Sequence, residues 1–466
     1  MKTRLASLLM IGAALYARPG RAAGGALADA QEGHEGHEGH EGEDVRPMDV
    51  VVTAQIVTLT EAMRSARAHQ PALEMARGNV VTAWGQADQV RAALLPQLNG
   101  NASYSRGTNN YVPSVGGTTP GAQTISSSFT TYARWYSSLT LSQMIYDFGE
   151  TINKWQAAVA AAQAMDQTVS ITEFQIDYNT RFAFFTARAA KELVGVARDN
   201  LANQEKHLAQ VKGFVEVGTH PEIDLTQAKA DRATAELQLI TAETNYATAK
   251  ANLNQAMGVE RSIDYELSDE DSPPVAGEDG AVEALVGEAD HDRPEMRNLY
   301  LNLKSQELTL RSAHDQIWPQ LTLSGNLNDA GPDLDRTAWN FSGIFSISVP
   351  FIQGGAIHAA IKQAEGQITQ AKSQVDTERL QVRLDVEQAR LGIRSAKGSI
   401  VAGEDALANS RDRLRLAEGR YRAGAGSIIE LGDAQVALVT AAAQLVQARY
   451  QLFIARAQLV KALARK

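Results

Sequence analysis

The chain has 466 residues, 44 basic against 54 acidic side chains, a formal net charge of −10 and no cysteine. The absence of cysteine excludes disulfides, thiolate metal sites, thiol nucleophiles and anchoring through a lipid-carrying N-terminal Cys. No long run of Lys and Arg occurs, and phosphate neutralisation needs one, so the balance argues against a nucleic-acid partner.

The chain opens Met1-Lys2-Thr3-Arg4, followed by an apolar stretch over residues 5–17 and small residues around Arg21-Ala22-Ala23. A cationic start, a short apolar core and a small-residue exit predict a secretory signal peptide over residues 1–23. Beyond it no run of about 18 apolar residues is found, so no transmembrane helix is expected, and a membrane crossing would need a barrel. Residues 24–57 form a leader that holds the tract Gly33-His34-Glu35-Gly36-His37-Glu38-Gly39-His40-Glu41. Such composition cannot bury a core and predicts disorder. Its His34, His37 and His40 are weak metal-ligand candidates, because imidazole suits several transition metals, but the spacing is not that of a metalloprotease helix. Either an acidic leader or a metal-collecting one fits.

From residue 58 the chain is duplicated. His69-Gln70-Pro71 and Leu95-Pro96-Gln97-Leu98 recur at one offset as Asp292-Arg293-Pro294 and Trp318-Pro319-Gln320-Leu321. At a second offset Phe148-Gly149 aligns with Gly354-Gly355, Gly218 with Gly424, Asp224 with Glu430, and Leu253 with Leu459. Two repeats, 58–258 and 283–466, joined by a linker at 259–282, follow from this alignment.

Each repeat begins with a stretch that predicts one helix of about 35 to 40 residues ending at Pro96 or Pro319, since the residue before proline leaves the α region. A strand pair comes next, at about 97–106 and 126–146, and at about 320–328 and 339–351. Ala133, Trp135, Leu139 and Leu141 alternate with Arg134, Tyr136, Ser138 and Thr140, as do Trp339, Phe341, Phe345 and Ile347 with Asn340, Ser342, Ser346 and Ser348. The alternation fits a sheet on a soluble core or a barrel with lipid outside and water inside. Trp135, Tyr136, Trp339 and Phe341 fit a barrel's aromatic girdle or the packing of a soluble sheet.

Residues 150–213 and 356–423 contain no proline, and a helix of that length reaches roughly 100 Å at 1.5 Å per residue. Rods so long must pack on other rods, and their Ala-rich seams allow close approach. Gly218 and Gly424 suit left-handed helix ends, after which a second helix of about 37 residues returns. Four strands cannot close a membrane barrel, because the smallest use about eight, so several copies must contribute.

The ordered set of Leu59-Thr60-Glu61-Ala62, Ala93-Leu94-Leu95-Pro96-Gln97-Leu98, Tyr146-Asp147-Phe148-Gly149 and the turns Val217-Gly218-Thr219 and Tyr421-Arg422-Ala423-Gly424 resembles the outer membrane efflux protein (TolC) family. The resemblance implies a mainly α fold with a transmembrane β-barrel portion. Duplicated helix–β-hairpin–long helix–helix units from three subunits would form one 12-stranded barrel and an α-helical periplasmic tunnel.

It further implies a homotrimer in the outer membrane of a Gram-negative bacterium, extending into the periplasm and surrounded by outer-membrane lipid. Such a trimer is the exit duct of a tripartite efflux pump or type I secretion system, with a periplasmic adaptor (membrane fusion) protein and an inner-membrane transporter as partners. By the same resemblance Glu430 and Asp433 match an acidic ring at the periplasmic aperture, Asp224 and Tyr421 match positions that tie neighbouring coils, and the turns at Gly218, Thr219, Gly424 and Gly426 match adaptor-docking sites. Some members carry Arg where this chain has Gly426.

A solvated helix N-terminus is the alternative reading of the acidic pair. The histidines at 69, 207, 220, 291, 314 and 358 show no ligand spacing and read as surface residues. No nucleophile triad or nucleotide loop occurs, so neither enzymatic chemistry nor a cofactor is expected.

Overall fold

A computed structural model describes residues 55–108, 128–260 and 265–465. The predicted signal peptide, most of the leader with His34, His37 and His40, and the start of the predicted strand at 126 lie outside the described residues.

Strand β1 (Gln55–Val57) leads into helices α1 (Leu59–His69) and α2 (Pro71–Ala92), then the hairpin β2 (Gln97–Thr108) and β3 (Thr131–Tyr146), then α3 (Glu150–Glu216) and α4 (Glu222–Met257). After β4 (Tyr265–Leu267) the order repeats as α5 (Val282–Asp292), α6 (Pro294–Asp315), β5 (Gln320–Gly331), β6 (Ala338–Ser348), α7 (Ala356–Arg422) and α8 (Ile428–Ala462).

Three expectations need correction. The single helix expected before each hairpin is two helices: Gln70 and Arg293 are extended at ψ 118° and 128°, and Pro71 and Pro294 start new helices, of 22 residues each. Proline restricts the residue before it and supplies no N–H to continue the ladder. Past Ala92 the chain continues in turns, with the Leu95 N–H on the Ala92 carbonyl at 3.0 Å, up to Pro96, where the expected end falls. Residues 55–57, placed in the leader, form β1, which pairs in parallel with β4 inside the linker. Helix α8 is also long and apolar enough to cross a membrane by length and composition, the one such helix among the described residues. Its Leu445, Leu452, Leu459 and Ala-rich face are buried against neighbouring helices.

The two long helices contain 67 residues each. Their starts show why the duplication survives with little identity. Asp147 accepts hydrogen bonds from the backbone N–H of Gly149 and Thr151, at 3.2 and 2.7 Å, which supplies partners for donors at the start of α3. Phe148 and Gly149 have φ of 56° and 107°, and the paired Gly354 and Gly355 have 58° and 85°. The same left-handed pair therefore starts both rods, although one copy uses phenylalanine where glycine is the cheaper residue.

Helix packing runs between repeats as well as within them. Ser305 on α6 donates to the Ala157 carbonyl of α3 at 2.8 Å, and Asn298 donates to the Ala164 carbonyl at 2.6 Å. The segment between the repeats is held firmly. Arg456 on α8 donates to both carboxylate oxygens of Glu278 at 3.0 Å and to the Ser272 carbonyl at 2.6 Å. Burial raises the Glu278 pKa, but hydrogen bonds from Arg456 and Lys397 outweigh it and hold the carboxyl at about 2.

The four larger strands make one antiparallel sheet in the order β2-β3-β5-β6. Its register pairs Tyr104 with Trp135, Leu98 with Leu141, Leu139 with Leu327, Leu327 with Phe341, Leu323 with Phe345 and Leu321 with Ile347. Directly paired residues share a face, so these side chains form one apolar surface. The other face carries Asn101 with Ser138, Asn99 with Thr140, Thr140 with Asn326, and Thr322 with Ser346. Tyr136 lies on this polar face and is removed from the expected girdle, while Trp135, Trp339 and Phe341 remain on the apolar one. Among the described residues no second layer covers either surface: every residue of β2 and β6 is exposed, and Trp339 and Phe345 are 74% and 58% accessible. A sheet packed on a soluble core hides one face, and the described residues of a single copy show no such packing.

Candidate functional site

At the ends of the rods two helical turns meet, one joining α3 to α4 and the other α7 to α8. Gly218 and Gly424 stand just after the long helices with φ of 77° and 71°, the left-handed conformation that lets the chain reverse without a side-chain clash. Thr219 donates its hydroxyl to the Phe214 carbonyl at 2.9 Å, satisfying an acceptor at the end of α3. A Cβ on Gly426 would lie 3.1 Å from the Arg420 side chain and 3.2 Å from the Tyr421 nitrogen, so this turn is too tight for a larger residue without adjustment.

Between the turns lies a small core of Val211, Ala228, Leu414, Ala417, Tyr421, Leu431 and Ala434. The Tyr421 hydroxyl donates to Asp224 Oδ2 at 3.2 Å and so links the second helix pair to the first. Burial, then the neighbouring Asp224 charge, pushes the tyrosine pKa up to about 12. His220 Nδ1 stands 3.2 Å from the same carboxylate oxygen. Phe214, His220 and Tyr421 form a run of rings, with centroids 5.0 Å apart at each step, and His207 meets Tyr421 edge-on at 5.6 Å.

The acidic pair occupies one side of the start of α8. Ser427 caps this helix by accepting from the Glu430 N–H at 3.1 Å, and the Glu430 carboxylate accepts from Arg420 at 2.8 Å. Arg420 also reaches the Ala425 carbonyl at 3.3 Å, so it braces the turn that Gly426 closes. Asp433 is exposed and borders a cavity of about 350 Å³ with Gln227, Asp231, Gln238 and Gln435. The two carboxylates thus share a helix side but differ in partners.

The surface reading of His207 and His220 is wrong. His207 is only 6% exposed, because the Tyr421 ring and the helices around it close over it, and His220 is half-buried against Asp224. Arg420 is a further site residue that sequence reasoning did not single out. For His207 the available signal was its spacing from Gln204 on one rod: polar residues three apart share a face, and here that face is the packed one. Gln204 donates to Gln435 of α8 at 2.9 Å, a buried amide pair between repeats.

The outer membrane efflux protein family matches residues 62–259 and 285–465. Outer membrane protein TolC of Escherichia coli is 26% identical over 340 residues, which cover 67% of this chain and 63% of TolC. The chain therefore spans just under two thirds of that relative. The toluene efflux pump outer membrane protein TtgF of Pseudomonas putida is 24% identical over 57% of this chain and 54% of its own length. Among solved structures, the outer-membrane channel OprN superposes with a TM-score of 0.75 at 19% identity, covering 88% of this chain and 90% of OprN, a likeness of fold. With both repeats matched by one family and the whole rod-and-sheet arrangement shared with channels of that kind, the chain belongs to the outer membrane efflux protein family.

Proposed function

We propose that three copies of this chain form an outer-membrane channel, the exit duct of a tripartite efflux pump or type I secretion system. The observation that carries this reading is the sheet, apolar on one face, polar on the other and, among the described residues, uncovered on both and unpaired at its β2 and β6 edges. Lipid offers no partner for an open edge, so β6 of one copy must pair with β2 of the next until the cylinder closes. The apolar face then meets lipid, the polar face lines water, and the 67-residue helices continue the duct below.

In this reading Glu430 and Asp433 from each copy ring the periplasmic aperture and favour cations, while Asp224 and Tyr421 hold neighbouring coils closed. The turns at Gly218, Thr219, Gly424 and Gly426 meet a periplasmic adaptor, and an inner-membrane transporter supplies the energy. Cargo is set by those partners. The name of TtgF ties that relative to toluene efflux, which makes small apolar solutes one class to assay.

The test is fractionation followed by reconstitution. A heat-labile trimer in the outer-membrane fraction that conducts in planar bilayers supports the channel. Recovery as a soluble periplasmic monomer overturns it.

A further inference from the structure

The tip carries a titratable group that neither the family match nor the channel reading uses. His207 is buried on α3 with its Nε2 enclosed and without a hydrogen-bond partner among the described residues. A cavity of about 190 Å³ adjoins it, bordered by Asn203, Lys206, Glu418, Gln435 and Leu438. The charged and titratable groups facing the ring are Lys206 on its own helix, Asp224 and Asp231 on α4, and Glu418 and Tyr421 on α7. Helix α8 presents Gln435, Leu438 and Val439 to that cavity, none of them ionisable. His220, on the turn, faces Asp224 and Tyr421 from the other side.

We infer that this arrangement is a pH-operated latch, in which protonation of His207 unseats its ring from Tyr421 and thereby loosens the Tyr421–Asp224 link between the two helix pairs.

The physical cause is a donor without an acceptor. Neutral His207 can leave Nε2 unprotonated in its enclosed site, whereas the imidazolium carries a proton on both nitrogens and must find a partner or water for each. An enclosed, unpartnered cation is costly, and the ring can reduce that cost by turning into the adjoining cavity towards Glu418 or water. Either movement takes it from the edge of Tyr421, whose hydroxyl makes the link to Asp224.

Burial lowers the His207 pKa, and the charges of Asp231, Glu418 and Asp224 oppose this only in part. The packed tip therefore takes up its proton at lower pH than a loosened tip, whose solvated imidazole titrates near 6.5. Below about pH 6.5 acid favours the loosened state by up to about tenfold per pH unit, the limit for one proton. Above that pH the latch is indifferent.

The latch can be read without any channel activity, although its effect on conduction rests on the channel reading. Hydrogen exchange of residues 208–225 and 414–431 is measured from pH 7.5 to 5.5 in the detergent-solubilised full chain and corrected for intrinsic exchange, with residues 150–190 as an internal reference. The expected result is a rise in tip exchange of several-fold on acidification in the natural protein and in His220→Gln, and a flat profile in His207→Gln. A flat profile in the natural protein, or an unchanged rise in His207→Gln, overturns the latch. Bilayer conductance over the same pH range separates the two ideas: a tip that loosens in acid while no current flows at any pH supports the latch and counts against the channel.

Discussion

Tyr421 and Asp224, far apart in sequence and in different repeats, meet through a hydroxyl that donates to the carboxylate at 3.2 Å. This bond links the last turn of one long rod to the returning helix of the other, beside the small core the two helix pairs share. Hydrogen bonds to charged groups contribute about 1.5 to 3 kcal/mol. Tyr421→Phe keeps the ring packing and removes only the donor, so it should raise the open population of the tip by roughly tenfold per 1.4 kcal/mol lost. Limited proteolysis under conditions where reclosure outpaces cleavage reports that population, with nicking expected within residues 214–226 and 419–430.

Glu278 and Arg456 form a second link, buried between the inter-repeat segment and α8. The Glu278 pKa, held at about 2, lies below its ordinary value of 4.5, so the stabilisation is fully present above about pH 4.5 and is lost as pH falls through 2. The difference corresponds to about 3 kcal/mol. Glu278→Gln should lose stability of that order at pH 7 and show a shallower acid limb between pH 4.5 and 2 in denaturant titrations. Equal acid limbs for the two proteins would remove this carboxyl from the acid response.

Phe345 and Ser346 are neighbours on β6 that face opposite ways, the first paired with Leu323 and the second with Thr322. With lipid on the apolar face, Phe345→Arg should cost about 2 to 4 kcal/mol near mid-membrane. Ser346→Arg, facing water, should be close to neutral for assembly. The yield of heat-labile trimer in the outer-membrane fraction measures both. Similar losses for the two variants would mean that the faces are not divided between lipid and water.

Glu430 and Asp433 should contribute unequally to ion selection, because Glu430 is engaged by Arg420 while Asp433 is exposed. Asp433→Ala is expected to reduce cation preference more than Glu430→Ala, and the double variant most. Reversal potentials across a salt gradient in planar bilayers give the comparison. Unchanged potentials in the double variant would place both residues away from the constriction.

Much of the architecture was readable because it depends on local rules. Gly149 and Gly355 mark the rod starts and Gly218 and Gly424 the rod ends, since left-handed backbone is a property of single residues. The alternation from Ala133 to Leu141 predicts two unlike faces because side chains in a strand point to opposite sides in turn. Even the break at Pro71 is a local signal, present in the sequence although the helical composition of residues 58–96 masks it.

The tip chemistry belonged to tertiary structure. Sequence spacing says which residues share a helix face but not what that face meets. Once α3, α4, α7 and α8 converge, His207 is enclosed, Tyr421 reaches Asp224, and Arg420 reaches Glu430. The sequence by itself determined two repeats, long rods and a two-faced sheet, because periodicity and backbone preference act within a few residues. Only the fold decided which polar groups lost water and found partners, because desolvation depends on residues brought together from distant parts of the chain.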